Sequence, residues 1–315
     1  MSLNPLSLFR AMPGSIAQGM IWGVMALGVY ITFRLLDFAD LTVDGSIATG
    51  AAVSVMLIRA GVSPIATLPI AFLAGALAGM VTGLLNTALG IPGILASILT
   101  QISLYSINLN IMGKANQPVS VDNYPLVVSL RYVTDGSVSR LLFFLGMIVF
   151  LLALIAVMYW YFGTEQGHAI RATGCNSNMA RAQGINTNFN IVLGLAVSNA
   201  LVALSGALLS QYQGFADVGM GRGAIVIGLA AVIIGEAVFG RIFHNFALKM
   251  ASVSIGAIIY YIVIQLVLTL GFDANLLKLL SASVVAVFLA VPYWKSKYFA
   301  KPAAKKAQKE DAKNA

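Results

Sequence analysis

The sequence predicts an all-α integral membrane protein in which about nine (8–10) transmembrane helices form one bundle. Its 315 residues are 59% hydrophobic and only 10% charged, whereas a soluble domain carries roughly 45–50% apolar and about 25% charged residues. The mean hydropathy is +0.89. Apolar stretches recur from end to end at about 20 residues, the length that a helix needs to cross the hydrocarbon core. This composition excludes an ordinary cytosolic enzyme, a disordered chain and a nucleic-acid-binding module.

Nine apolar segments follow one another along the chain. They lie at about 16–36, 43–60, 64–90, 91–113, 141–162, 190–210, 224–240, 247–271 and 275–293. We expect one transmembrane domain over 16–293, preceded by an N-terminal segment at 1–15 and followed by a disordered basic tail at 294–315. Alternatively, the polar-rich segment 91–113 is re-entrant, because irregular backbone at membrane depth must be buried in protein or face water.

Basic residues set the predicted orientation. Seven of the ten lysines lie in the last 21 residues, and basic residues beside a span stay in the cytoplasm, so the C-terminus is expected to be cytoplasmic. Counting back four spans places the loop 163–190 in the cytoplasm and the loop 114–140 outside. Nine full spans, which we favour, then put the N-terminus outside, against Arg10.

A cluster of carboxylates separates the first two apolar segments. Asp37, Asp40 and Asp44 stand within eight residues, together with Thr42. An ionised carboxylate at the centre of a membrane costs roughly 2.5–3.5 kcal/mol by insertion scales, so the cluster is expected at a water-filled cavity or a membrane edge. Two interpretations stay open here: Asp40 or Asp44 caps the next helix, or the cluster lines a solute path.

Glu236 is a second acidic residue in an apolar setting. It lies in a glycine-rich helix, close to Arg241 and His244. Either it forms a structural ion pair with these neighbours, or it belongs to a gate or pathway.

A polar stripe is predicted on one face of the helix at 91–113. Gln101, Tyr105 and Asn108 follow at spacings of four and three. Such side chains either join helices by hydrogen bonds or line a pore for a polar or zwitterionic solute.

Two segments of the chain resemble each other. Both 40–50 and 217–228 begin with aspartate and lead into a helix of small residues. Transporters often contain repeats with the solute path between them. Chance likeness between glycine-rich helices is the alternative.

The loop 163–190 is predicted to contain a short helix. Asn176 is a suitable N-cap and Gly184 a suitable C-terminal stop. Small apolar residues between Arg171 and Arg181 give this helix a contact surface suited to a groove on a soluble partner. Composition alone, however, favours a solvated loop.

The same loop follows a recurring pattern, G-x-A-x-R-A-x-G-x-N-x-x-x-A-x-x-x-G-I. The matching positions are Gly167, Ala169, Arg171, Ala172, Gly174, Asn176, Ala180, Gly184 and Ile185. In this register the loop resembles the coupling segment of ATP-binding-cassette (ABC) importer permeases of the branched-chain amino acid and ribose superfamily. The stretches 41–46 and 83–92 are similar to the same superfamily, and 38–45 looks closer still to a subfamily often assigned to tryptophan or tyrosine uptake. Sugar-branch permeases usually carry an additional N-terminal span, for which this chain starts too close to its first one.

The resemblance implies a permease subunit of an ABC importer in a prokaryotic plasma membrane, with a cytoplasmic coupling helix. The implied partners are a dimer of cytoplasmic ABC ATPases, an extracytoplasmic binding (lipo)protein, a second permease copy forming a homodimer, and membrane lipid. ATP and Mg²⁺ would be used by the ATPase alone, since the chain has no G-x-x-x-x-G-K-[ST] phosphate loop. We expect no cofactor, metal site or catalytic residue in this chain.

The resemblance also assigns residues to ATPase coupling. They are Gly167, Arg171, Ala172, Gly174, Asn176, Ala180, Gly184 and Ile185. A bulky charge at Ala180 is expected to abolish ATPase association while leaving the fold intact.

For the solute pathway we predict Thr42, Asp44, Gln101, Asn108 and Glu236. The solute is expected to be small and polar, an aromatic amino acid on subfamily resemblance. The alternative function is an ion-coupled secondary transporter, driven through Asp44 or Glu236, which would need no ATPase.

Overall fold

The computed structural model describes residues 5–120, 122–134, 137–240, 242–243, 245–270 and scattered positions from 279 to 290. Most of the predicted span 275–293 and the whole predicted tail lie outside these residues. The elements in chain order are α1 (Pro5–Tyr30), a π-helical turn (Ile31–Leu35), α2 (Thr42–Arg59), α3 (Pro64–Thr87), α4 (Gly93–Met112), β1 (Asn116–Pro118), α5 (Leu130–Thr134), α6 (Ser137–Phe162), α7 (Glu165–Cys175), α8 (Ser177–Ala182), α9 (Thr187–Gln213), β2 (Phe215–Asp217), α10 (Ala224–Phe239) and α11 (Phe246–Thr269).

The helix ends follow from local chemistry. Side-chain oxygens of Asn176, Asn186 and Asn245 accept hydrogen bonds from backbone N–H groups at the starts of α8, α9 and α11. Pro64 lies in the first turn of α3, where its missing N–H removes no helical bond. Gly113 ends α4 in the left-handed conformation, with φ of 68°.

Within the described residues, six helices are long and apolar enough to cross a membrane. They cover Ala11–Leu35, Pro64–Thr87, Gly93–Met112, Arg140–Phe162, Thr187–Gln213 and Phe246–Thr269. The predicted span 224–240 corresponds to α10, whose 16 residues cover only about 24 Å at 1.5 Å per residue. The predicted span 43–60 corresponds to α2, which is buried along most of its length and is not one of the six. The described residues therefore form a multi-pass helical protein, and the predicted total of nine spans is not confirmed.

The segment 91–113 forms one continuous helix. α4 runs unbroken for 20 residues and begins directly after Pro92. A re-entrant segment would require an interruption of the helix at membrane depth, so the continuity of α4 favours a full span.

The centre of the bundle is α9, which is buried over most of its length and packs against α1, α2 and α3. Small residues bring the backbones together. A Cβ atom at Gly50 of α2 would overlap the carbonyl of Ala203, and one at Gly206 of α9 would overlap the carbonyl of Ile47. Such contacts allow membrane helices to pack closely. They hold α2 in the interior, while α3, α4 and α6 expose apolar side chains at the periphery.

A two-stranded antiparallel ribbon joins the loops that follow α4 and α9. In it β1 pairs with β2, with Gln117 opposite Ala216, and Arg59 at the end of α2 donates to the Gln117 side chain. The sequence analysis predicted only a polar loop at 114–140, because strands of three residues are too short to show a pattern. The ribbon fixes the position of the turn 218–223, which leads into α10.

Candidate functional site

A polar cavity of about 320 Å³ lies where α2, α4 and the turn 218–223 meet. Its volume is at the lower end of the range for small-molecule sites, roughly 300–1,000 Å³. The residues that line it are Asp44, Gly45, Ala48, Gln101, Ile102, Tyr105, Ser106, Asn108, Val218 and Arg222. Three of the five residues predicted for the solute pathway, Asp44, Gln101 and Asn108, are thus brought to one cavity. Their pathway role stays a prediction.

Asp44 caps a helix, but not the one that the sequence analysis considered. Its Oδ2 accepts a hydrogen bond from the N–H of Gly223 and its Oδ1 one from the N–H of Ile225, each at 2.9 Å. These donors lie at the start of α10, where a carboxylate is stabilised by the helix dipole. A Cβ atom at Gly221 would overlap the Asp44 carbonyl, so only glycine permits this close approach. The two similar segments, 40–50 and 217–228, therefore contact each other at the cavity.

Asp40 and Thr42 form a buried network beside the cavity. Asp40 accepts hydrogen bonds from the backbone N–H of Thr42 at 2.9 Å and from the Asn199 side chain of α9 at 2.7 Å. Thr42 is hydrogen-bonded to Thr82 at 2.7 Å, and Thr82 donates to Thr100 at 2.9 Å. The first contact satisfies the first backbone N–H of α2, although the N-cap position itself is Leu41. Thr42 joins helices here and does not line the cavity wall.

Asn108 is the least satisfied side chain of the cavity. It is fully buried, and neither its Oδ1 nor its Nδ2 has a hydrogen-bond partner. An unsatisfied buried polar group costs about 1–3 kcal/mol. The protein therefore keeps a donor and an acceptor at the cavity at a cost to its own stability.

Glu236 lies away from this cavity, in an ion pair with Arg34. The guanidinium Nε of Arg34 donates to Oε1 of Glu236 at 2.8 Å, and its Nη2 donates to Oε2 of the same carboxylate. One of the two interpretations left open for Glu236 was a structural pair with Arg241 or His244, which lie outside the described residues. The true partner stands 202 positions away, in the π-helical turn. A pathway role for Glu236 stays a prediction.

The loop 163–190 contains a short helix, α8, at the place that was predicted, and its coupling role stays a prediction. Asn176 caps α8 by accepting a hydrogen bond from the N–H of Met179 at 3.0 Å. Gly184 follows the helix with φ of 81°, as expected for a C-terminal stop. The loop is therefore folded into α7 and α8 rather than solvated.

Most of the predicted coupling residues face the chain itself. Cβ atoms at Gly167 and Gly174 would overlap the backbone of Phe162 and Leu35 respectively. The Arg171 guanidinium lies 4.9 Å from the centre of the Phe246 ring, and Ala172 is half-buried. These residues fix α7 against α6, α11 and the π-helical turn.

Ala180 requires a correction. It is only 4% exposed, and its carbonyl accepts the N–H of Ile185 at 3.0 Å, which closes the end of α8. A bulky charge at Ala180 would therefore disrupt the loop, contrary to the expectation that the fold stays intact. The exposed apolar side chain of α8 is Met179, at 63%.

Sequence reasoning missed two cations that the structure places at key positions. Neither was singled out, because Arg34 stands at the end of an apolar segment and Arg222 stands in a glycine-rich turn. The position of Arg222 between Gly221 and Gly223, next to the apolar α10, was the available signal.

Comparison with known proteins agrees with this architecture. Residues 12–292 match the family described as branched-chain amino acid transport system / permease component. The chain is 37% identical to the tyrosine transport system permease protein of Clostridioides difficile, over 87% of this chain and 89% of that protein. It is 34% identical to the uncharacterized protein RP368 of Rickettsia prowazekii, over 88% and 95%. It is also 26% identical to the inner membrane ABC transporter permease protein YjfF of Escherichia coli, over 68% and 63%.

No solved structure matches the chain. The matched family range nevertheless contains both the cavity and the loop formed by α7 and α8. Its relatives are permease components of ABC transporters rather than enzymes. The chain belongs to the family of branched-chain amino acid transport system permease components, and is a multi-pass membrane permease of the ABC transporter class.

Proposed function

We propose that this permease forms the translocation path of an ABC importer for an amino acid, with an aromatic one favoured. A binding (lipo)protein outside the membrane delivers the solute. Two ATPase subunits hydrolyse ATP with Mg²⁺ in the cytoplasm, and a second copy of this chain completes the path. The protein lies in a prokaryotic plasma membrane with its C-terminus on the cytoplasmic side.

The observation that carries the proposal is the folded loop α7–α8. It is held to the bundle by Gly174 and capped by Asn176, while the face from Cys175 to Met179 is exposed. A short helix with an exposed apolar side chain suits a groove on a soluble partner. We assign ATPase docking to Met179 and its exposed neighbours, and a supporting role to the buried pattern residues.

A continuous set of contacts supports transmission from this loop to the cavity. α7 contacts Leu35 at the end of the π-helical turn through Gly174. Arg34 in the same turn pairs with Glu236 near the end of α10. The start of α10 is bound to Asp44 in the cavity wall. Because α10 is a rigid helix, movement of α7 after ATP binding would shift the cavity wall at its other end.

The solute class follows from the relatives and from the cavity. A tyrosine transport system permease covers most of the chain at 37% identity, which supports an amino acid. The cavity offers two amides, a carboxylate, a guanidinium and a phenol ring, which suits a small polar solute with an aromatic part.

The test is purification of the tagged permease from its own membranes with identification of the proteins that accompany it. We expect a cassette ATPase and a binding lipoprotein. Met179→Asp should lose the ATPase, whereas the matched control Met179→Leu, which keeps the apolar volume, should retain it. Recovery of the permease alone, together with tyrosine uptake in ATP-free liposomes, would contradict the proposal and support an ion-coupled transporter.

A further inference from the structure

Arg222 is a charged residue that lines the cavity. It is exposed, and its guanidinium lies 5.7 Å from the centre of the Tyr105 ring. Neither of the two ion pairs found in the described parts of the chain includes Arg222. An arginine at a ring face keeps its planar set of N–H donors free for a carboxylate.

The backbone holds Arg222 at the cavity. Its two neighbours are both bound to α2: Gly221 packs against the carbonyl of Asp44, and Gly223 donates its N–H to the Asp44 side chain. The turn is thus fixed on both sides of Arg222. The backbone of Arg222 is thus held beside the cavity, so a ligand need not order the turn, which reduces the entropy lost on binding.

Asn108 provides the second observation. Its fully buried amide lines the same cavity without a partner for either polar atom. Buried amides are normally satisfied, and an exception requires an explanation. A ligand that both accepts and donates hydrogen bonds would satisfy Asn108 and remove its cost.

Asp44 provides the opposite charge. Each of its carboxylate oxygens accepts one backbone hydrogen bond, and an ionised carboxylate has about four acceptor sites. Acceptor capacity therefore remains on this carboxylate for a cationic donor. The cavity combines a cation, an anion and an unsatisfied amide, which together complement the two charges of a zwitterion.

We propose that the cavity binds the charged groups of an α-amino acid directly. Arg222 and the Nδ2 of Asn108 donate to the carboxylate, while Asp44 and the Oδ1 of Asn108 accept from the ammonium group. The Tyr105 ring and Ile102 contact the side chain of the solute. This proposal rests on the proposed function for the cavity as part of the path, and it adds that the permease selects the solute itself.

The first test is binding of labelled L-tyrosine to the purified permease in nanodiscs, with no binding protein and no ATPase. Unlabelled L-tyrosine should compete fully. Tyramine, which lacks the carboxylate, and N-acetyl-L-tyrosine, which lacks the ammonium group, should each compete at least about tenfold less well, since each loses a charge-assisted hydrogen bond. D-ribose should not compete.

The second test uses Arg222→Gln, with Lys114→Gln as the matched control because Lys114 is an exposed cation outside the cavity. Arg222→Gln should weaken L-tyrosine binding about tenfold or more and abolish the preference for L-tyrosine over tyramine. Lys114→Gln should leave both unchanged. Since Arg222 is exposed, the variant is expected to fold, which size-exclusion chromatography checks.

The proposal is overturned by absent binding, by competition from ribose equal to that from tyrosine, or by an unchanged preference in Arg222→Gln. ATP-driven uptake of L-tyrosine, measured in parallel with the purified binding protein and ATPase, separates the two proposals. If ATP-driven uptake is observed but the purified permease alone binds no L-tyrosine, the direct site is ruled out and the proposed function stands. An ATPase that does not associate would remove the proposed function.

Discussion

The loop formed by α7 and α8 differs from the cavity in how far its residues are satisfied by contacts within the protein. In the loop α7–α8, Asn176 is satisfied by a helix N-terminus and Gly174 is in close contact with Leu35. In the cavity, Asn108 is buried without a partner and Arg222 has only a ring face. The loop residues that match the family pattern therefore stabilise the fold of the loop. In the cavity, by contrast, Asn108 and Arg222 keep hydrogen-bonding groups that the fold does not use.

The largest effect is expected from enlarging Gly174. Gly174→Val would force a side chain into the Leu35 carbonyl and should destabilise the protein by about 3 kcal/mol or more. Gly184→Ala is the control in the same loop: its added Cβ meets open space, and only its positive φ costs about 1–2 kcal/mol. The yield of monodisperse protein and its melting temperature in detergent measure both. Equal effects would show that Gly174 is not a packing residue.

Asn108→Leu tests the cavity, which is the second region of the comparison. Removing an unsatisfied buried amide should raise stability by about 1–3 kcal/mol, while solute transport is lost. Thermal melting and uptake in proteoliposomes give the two readings. A variant that is less stable than the native protein would mean that Asn108 is satisfied within the fold.

Asn176→Ala should cost about 1 kcal/mol by removing the cap of α8. Asn176→Ser keeps a capping oxygen and should stay close to the native protein. Melting temperatures and ATPase-coupled uptake of the two variants are compared. If Ala and Ser behaved alike, the side chain of Asn176 would act through a contact other than the cap.

The smallest effect on stability is expected for the Arg34–Glu236 pair. The two side chains are 48% and 32% exposed, and such pairs contribute about 0.2–1 kcal/mol. A double-mutant cycle with Arg34→Gln and Glu236→Gln measures this coupling. We expect a larger effect on ATP-driven uptake than on stability, and unaffected uptake would remove the pair from the transmission route.

Local chemistry explains what the sequence predicted well. Asn176 and Gly184 belong to one short helix, and the signals for its start and end lie within nine residues of each other. The prediction of a membrane protein likewise rests on the sequence alone, through the apolar composition of the chain. These features depend on neighbours along the chain, so that no tertiary information is needed.

The contacts that the sequence did not predict are long-range. The donors to Asp44 lie 179 and 181 positions away, and Arg34 lies 202 positions from Glu236. Ordinary periodicity contains no information on such pairs. Three of the residues predicted for the pathway nevertheless line one cavity. The signal was their polarity in an apolar setting, because burying such groups is costly.

The central claim, that the exposed face of the coupling loop binds an ATPase, is tested most directly at Cys175. This is the only cysteine of the chain, and it is exposed at the end of α7 beside the face that includes Met179. A membrane-impermeant maleimide should label Cys175 in inside-out vesicles and not in intact cells. Addition of the purified ATPase to the vesicles should slow this labelling at least about tenfold. Labelling from the outside, or an unchanged rate with the ATPase bound, would contradict the account.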